Sequence, residues 1–227
     1  MKQILNLLIA FVAAILFVGC EMFDTPTTKE DLLPNPSQAE VMFYNNTNTV
    51  GTYLVQGDGD YSYKDCTTEF TSFVTCSPRV DGEYTAKFIS LQSKDNVYDI
   101  NGKEPVYVGK RTFKVPNDLG TKLSIPLREI TSKISFNEEN GVKISNIIVN
   151  GTPKRIFIDG EPIEKDISPI EIKSKDVFLV SALIKIQVCV IYEGEMRVFT
   201  EQLDAQPGCR YNIKVEGDRM IPSIASN

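Results

Sequence analysis

Apolar residues recur at every second position in short runs, and no long stretch keeps the 3.6-residue period of an amphipathic helix. Cys209, Tyr211, Ile213 and Val215 fall on one side of a strand, with Arg210, Asn212, Lys214 and Glu216 on the other. Pro207-Gly208 turns the chain just before them. Tyr84, Ala86 and Phe88 alternate after Asp81-Gly82, and Leu123, Ile125 and Leu127 after Gly120. The most apolar stretch, 177–191, puts Phe178, Val180, Ala182, Ile184, Ile186, Val188 and Val190 on one face. Val177, Leu179, Leu183 and Ile191 add apolar surface on the other. One strand of that length would be unusual, so a central strand with a bend, or a pair of strands, is expected. Further candidates are 41–44, 52–56, 106–115, 142–149, 154–158, 170–173 and 196–203.

About eleven strands without the helices that parallel crossovers need predict an all-β protein of antiparallel sheets packed as sandwiches. The apolar phase slips at Gly109, from Val106 and Val108 to Phe113 and Val115, as a β-bulge would produce. A second slip falls near Glu129, where Leu127, Ile130 and Ile134 fit a strand or one face of a short helix. The turn Asn150-Gly151-Thr152-Pro153 divides the chain into an N-terminal sandwich at 40–150 and a C-terminal β region at 151–227. One domain or two both fit the length.

Composition excludes several functions. A net charge of −6 with scattered basic residues argues against nucleic acid as a partner. The chain has no His, which removes Ser-His-Asp and Cys-His catalysis and His-based zinc sites. Carboxylate chemistry is left. Glu138-Glu139 and Asp159 with Glu161 are candidate pairs for glycoside hydrolysis, but nothing marks either above surface charges in turns. The expectation is a non-enzyme with no cofactor.

The N-terminus carries an address. Lys2 precedes an apolar run from residue 4 to 18, broken by Asn6 and closed by Gly19 and Cys20. This is the pattern of a secretory signal peptide over 1–19. At about fifteen residues, the run is short of the roughly 20 that a transmembrane helix needs. Leu16-Phe17-Val18-Gly19-Cys20 resembles a bacterial lipobox, which implies cleavage after Gly19 and acylation of Cys20. The lipid bilayer is then the first partner, since two or three acyl chains anchor stably. Residues 20–39, with Pro26, Pro34 and Pro36 among polar residues, read as an extended tether.

The stretch from Leu123 to Phe136 resembles a signature of the fimbrillin-like lipoproteins of Bacteroides and relatives, with Leu127, Arg128, Lys133 and Ile134 carrying the match and Val142 to Asn150 fitting the strand that follows. Gln206-Pro207-Gly208-Cys209-Arg210-Tyr211 is similar to that family's late strand. The resemblance implies transthyretin-like β-sandwiches serving as stalk, tip or anchor subunits of surface fimbriae, lipid-anchored at the outer membrane and joined by strands donated between subunits. Stalk members are cut after an Arg near the mature N-terminus. Between Cys20 and Arg79 this chain has no Arg, which suits an anchor or a stand-alone surface protein. The alternative is a surface lipoprotein that binds a glycan or host ligand with loop tyrosines such as Tyr53, Tyr61 and Tyr63.

Two smaller patterns remain. Asp58, Asp60 and Asp65 stand in a Gly-rich loop as calcium ligands do, yet the spacing lacks the EF-hand Gly and closing Glu and equally suits a hairpin turn. In an oxidising compartment Cys66 with Cys76, and Cys189 with Cys209, are candidate disulfides; small buried thiols are the alternative. Alternation puts Cys189 opposite the main apolar face whereas Cys209 lies on one, so that second pair needs a bent sheet.

Replacing Cys20 with Ser is expected to abolish incorporation of labelled palmitate and to move the protein from the membrane to the soluble fraction. Unchanged labelling of Cys20→Ser would show that this sulfur carries no lipid.

Overall fold

The computed structural model describes residues 30–47, 49–57, 60–68 and 70–225. The leader, Gly19, Cys20 and Asp58 lie outside them, so the expectations placed there concern residues not described. The chain divides after Pro34 into two units, Met1–Pro34 and Asn35–Asn227, and every described strand belongs to the second.

Its strands run β1 Val41–Tyr44, β2 Thr52–Gly57, β3 Ser62–Cys66, β4 Phe73–Cys76, β5 Gly82–Ile89 and β6 Tyr98–Asp99. Then come β7 Tyr107–Val115, β8 Lys122–Ser124, β9 Leu127–Glu129, β10 Thr131–Glu138, β11 Lys143–Asn150 and β12 Arg155–Ile156. The last are β13 Ile170–Ile172, β14 Asp176–Val180, β15 Leu183–Tyr192, β16 Glu195–Asp204, β17 Arg210–Val215 and β18 Met220–Ile224. The protein is all-β and built as sandwiches. Sheets β4-β1-β8 and β3-β2-β5-β7-β9 enclose one core, with Phe43, Tyr53, Tyr84, Phe88 and Phe113 inside. Sheets β14-β10-β17-β18 and β13-β11-β15-β16 enclose another, with Ile134, Phe136, Ile184, Val188 and Ile213 inside.

The two sandwiches share one topology. In chain order β1, β2, β3, β4, β5, β7 and β8 occupy the places that β10, β11, β13, β14, β15, β16 and β17 occupy later. Both first strands pair antiparallel with the fourth and parallel with the last, β1 with β8 and β10 with β17. The expected purely antiparallel pairing is corrected at those two places. The expected division at 150 is also misplaced. β10 and β11 pair with β14, β17, β13 and β15, so the C-terminal sandwich starts at Thr131 and the turn at 150 lies within it.

A third apolar cluster joins the two. Leu54, Ile89 and Val108 on the outer face of the five-stranded sheet meet Tyr98 and Ile156 of the small β6–β12 sheet, together with Ile130 and Val180. This explains the phase slip at Gly109. No bulge interrupts the β5–β7 register there; even-numbered Val108 faces the junction and odd-numbered Phe113 and Val115 face the N-terminal core. One strand serves two cores. The bulge lies instead between Ile144 and Asn146 of β11. The ambiguity at Leu127, Ile130 and Ile134 resolves as strand, β9 ending one sandwich and β10 opening the next. The stretch 177–191 is two strands in different sheets. Its apolar face is not continuous: Val177 and Leu179 point into the core from β14, and Ile184, Ile186, Val188 and Val190 do so from β15.

Ile156 is fully buried in the junction and contributes to neither sandwich core. Ile156→Ala is expected to cost about 2–5 kcal/mol and to split a single calorimetric transition into two. An unchanged single transition would show that the sandwiches are coupled some other way.

Candidate functional site

Each sheet is open, so each sandwich has two sides where edge strands lie over one another. On one side of the C-terminal sandwich are β13 and β14. Between them runs a cleft of about 450 Å³, lined by Ile100, Ile170, Ile172, Val177 and Leu179, with Lys103, Glu171 and Asp176 at its mouth. Residues 170–172 and 176–180 are the edge strands of the two sheets and flank this cleft. The 100–103 loop lies beside β14, where the Phe178 amide donates to the Gly102 carbonyl at 2.8 Å. Gly102 has φ +72° and would bring a Cβ to 3.0 Å from Val177, so the close approach of this loop requires glycine. An apolar trough flanked by edge strands is the form that receives an extended peptide.

The residues of the sequence signature straddle the two sandwiches. Ile134 is buried in the C-terminal core and Leu127 packs on the N-terminal one. Arg128 is exposed on β9. Lys133 pairs with Asp176 at 3.4 Å on the β14 edge. The Ser135 hydroxyl, and then Lys133, hold the Asp176 carboxyl below its ordinary range.

Two residues other than those four form the stronger interaction. Arg210 grips Glu129 with both ends of its guanidinium, Nη1 to Oε1 at 3.1 Å and Nη2 to Oε2 at 3.0 Å. Its cation also lies 5.6 Å from the Phe178 ring. Glu129 Oε1 accepts the Thr131 hydroxyl, whose oxygen in turn accepts the Val106 amide. This chain ties the segment between the sandwiches to β17. Glu129 pushes the Arg210 pKa above its usual value. A pair 81 residues apart has no local signature, so the sequence alone could not reveal it.

Other expected site residues do not come together. All four described cysteines are free. Cys66 lies on the β2–β3 face shared with Thr52 and Leu54, towards the junction, whereas Cys76 points into the N-terminal core. The sheet itself separates them. Cys209 packs on the C-terminal core and Cys189 is on the opposite face of β15 from Val188 and Val190. Tyr53 is wholly buried, accepting a hydrogen bond from Asn45, and burial pushes its pKa up to about 12. Tyr61 and Tyr63 are partly buried against the same core, so the expected row of exposed loop tyrosines does not form. β2 and β3, the strands on either side of the loop carrying Asp58 and Asp60, pair antiparallel, and the Gly57 amide donates to the Tyr61 carbonyl at 3.2 Å. Asp65 accepts from Tyr63 and from the Cys66 amide. Among the described residues no three acidic or sulfur ligands gather as a metal would need.

A second hollow of about 490 Å³ lies beside β9, between Lys110, Leu127, Arg128, Asp159 and Glu161. Burial works to raise the Asp159 pKa, but the Lys87 hydrogen bond at 3.1 Å and its charge prevail and hold it low. Lys175 and the Ile144 amide hold Glu138 low as well. A glycosidase general acid needs the opposite shift.

No protein-family model matches the sequence, and no curated protein does. Solved structures do resemble it. A fimbrial assembly protein from Parabacteroides distasonis superposes with a TM-score of 0.52 at 11% identity, over 82% of this chain and 97% of its own. A candidate cell adhesion protein from Bacteroides uniformis gives 0.51 at 12% identity, over 82% and 96%. A candidate adhesin from Bacteroides thetaiotaomicron gives 0.52 at 11%, over 85% and 97%. At such identities the fold is what is shared, and it is shared over nearly the whole of each neighbour.

Replacing Arg210 by Met leaves Glu129, only 12% exposed, without its cation. Denaturant unfolding is expected to show a loss of about 1–3 kcal/mol, with Arg210→Lys recovering only part because it lacks the two-pronged geometry. Equal stability of all three proteins would show that the pair is dispensable.

Proposed function

We propose that the chain is a cell-surface subunit of the fimbrial or adhesive type, held to the outer membrane through acylated Cys20. It joins partner subunits by accepting an extended segment in the trough between β13 and β14. The trough is the observation that carries this reading: its floor is Ile100, Ile170, Ile172, Val177 and Leu179, and polar side chains line much of the rest. Of its two edge strands β13 is the one that offers main-chain hydrogen bonds, since the Phe178 amide of β14 is taken by Gly102. The fold shared with a fimbrial assembly protein and candidate adhesins supports it. The lipobox-like Leu16–Cys20 segment and the lack of Arg between Cys20 and Arg79 favour a subunit that keeps its lipid, hence an anchor.

Ile170→Trp tests this by filling the trough from β13, where the side chain is only partly buried. The variant is expected to fold with stability within about 1–2 kcal/mol of the parent, yet to lose co-purification with surface filament subunits from the native envelope. Unaltered co-purification would place the contact elsewhere.

A further inference from the structure

The shared topology of the two sandwiches exposes a difference between them. β7 and β16 hold equivalent places. In the N-terminal sandwich β9 covers the first three residues of the outer edge of β7, with Tyr107 to Gly109 paired to Glu129 to Leu127. β16 has no such neighbour and ends its sheet. We propose that β16 pairs antiparallel with β16 of a second copy of this chain across a two-fold axis, with Phe199 on the axis. This does not rest on the role given to the β13–β14 trough.

The other edges are blunted in ways that β16 is not. β4, β8, β9 and β13 have three or four residues each, and β18 carries Pro222. The Phe178 amide of β14 is already taken by Gly102, and β3 is a polar strand of five residues. β16 runs for ten residues without Pro, Gly or Lys, and its register with β15 is unbroken. Glu193 and Gly194, at φ +53° and +80°, make the two-residue hairpin that joins them. Tyr192 and Glu195 flank that turn, so odd-numbered residues of β16 bond to β15. The main-chain groups of Met196, Val198, Thr200 and Gln202 therefore point outward, and no other segment of the described chain bonds to them. Met196 is 73% exposed and Val198 52%, an uncommon placement for apolar side chains on an edge.

Charge selects the register. Pairing about Phe199 sets Arg197 of each copy opposite Glu201 of the other, twice over, and Val198 opposite Thr200. Within its own chain Arg197 donates to the Gly217 carbonyl at 2.6 Å and meets Glu195 at 3.4 Å. Moving the axis to Val198 opposes Glu195 with Glu201, and moving it to Glu201 opposes that residue with itself. An axis at Arg197 would oppose arginines, and one at Thr200 would put Glu201 against Phe199. Like charges directly across a strand pair are unfavourable and opposite charges favourable; of the two registers with the longest overlap, about Phe199 and about Thr200, only the Phe199 one opposes opposite charges. It would supply about eight main-chain hydrogen bonds and extend the sheet across both copies.

The full chain, purified in detergent, is expected to sediment as a dimer. Thr200→Pro removes an outward amide while leaving the bonds to β15 intact, and is expected to weaken association at least about tenfold with circular dichroism unchanged. Phe199→Cys is expected to form a disulfide-linked dimer on mild oxidation, since opposed non-bonded positions bring Cα atoms to about 4.5 Å. A chain that is monomeric throughout, a Thr200→Pro protein that associates as the parent does, or a Phe199→Cys protein with no more cross-linking than the parent each overturns the proposal.

Discussion

The central sheet of the N-terminal sandwich is buried on both faces at one end, and the rest of the unit is organised around that fact. Tyr53, Val55, Ala86 and Phe88 face one core, while Leu54, Ile89 and Val108 of the same sheet face the junction. Each such side chain removed from water contributes about 1.5–3 kcal/mol. Surface charge counts for far less. Lys114 and Glu83 lie 3.9 Å apart with both side chains more than 60% exposed, and such a pair contributes at most about 1 kcal/mol. Burial decides the architecture. The two-pronged Glu129–Arg210 pair then sets where the connecting segment sits.

The second consequence is that the unit presents edges. Barrels remove their edges by closing, but these four sheets stay open, and the chain deals with each edge separately. Proline, short length and a covering loop blunt most of them. The trough between β13 and β14 and the long bare β16 lie on opposite sides of the C-terminal sandwich. The Asp159 and Glu138 carboxyls are held low, the direction opposite to the one a general acid at either place needs.

Structural likeness at 11–12% identity extends over almost all of each neighbour. Such divergence is expected where side-chain alternation rather than particular residues specifies a sheet. An inward position needs an apolar side chain of about the right volume, and many sequences satisfy that. What separates one member of such a fold from another is then the treatment of its edges and clefts.

Most strands could be read directly, because alternation in Tyr84–Ala86–Phe88 or Tyr211–Ile213–Val215 is a local property of the chain. Among the strands that escaped, Ser62–Cys66 has no apolar stripe, Met220–Ile224 contains Pro222, and Phe73–Cys76 and Tyr98–Asp99 are too short to display a period. Of the site, Lys133 and Ile134 were visible as residues, but the trough, the Glu129–Arg210 pair and the repeated topology were not. Gly109 shows the reason. Period two reports that a strand has an inside and an outside, and cannot report that a second core waits on the outside. Which core a face meets, and which strand lies beside which, depends on contacts between residues far apart in the chain, and those exist only once it has folded.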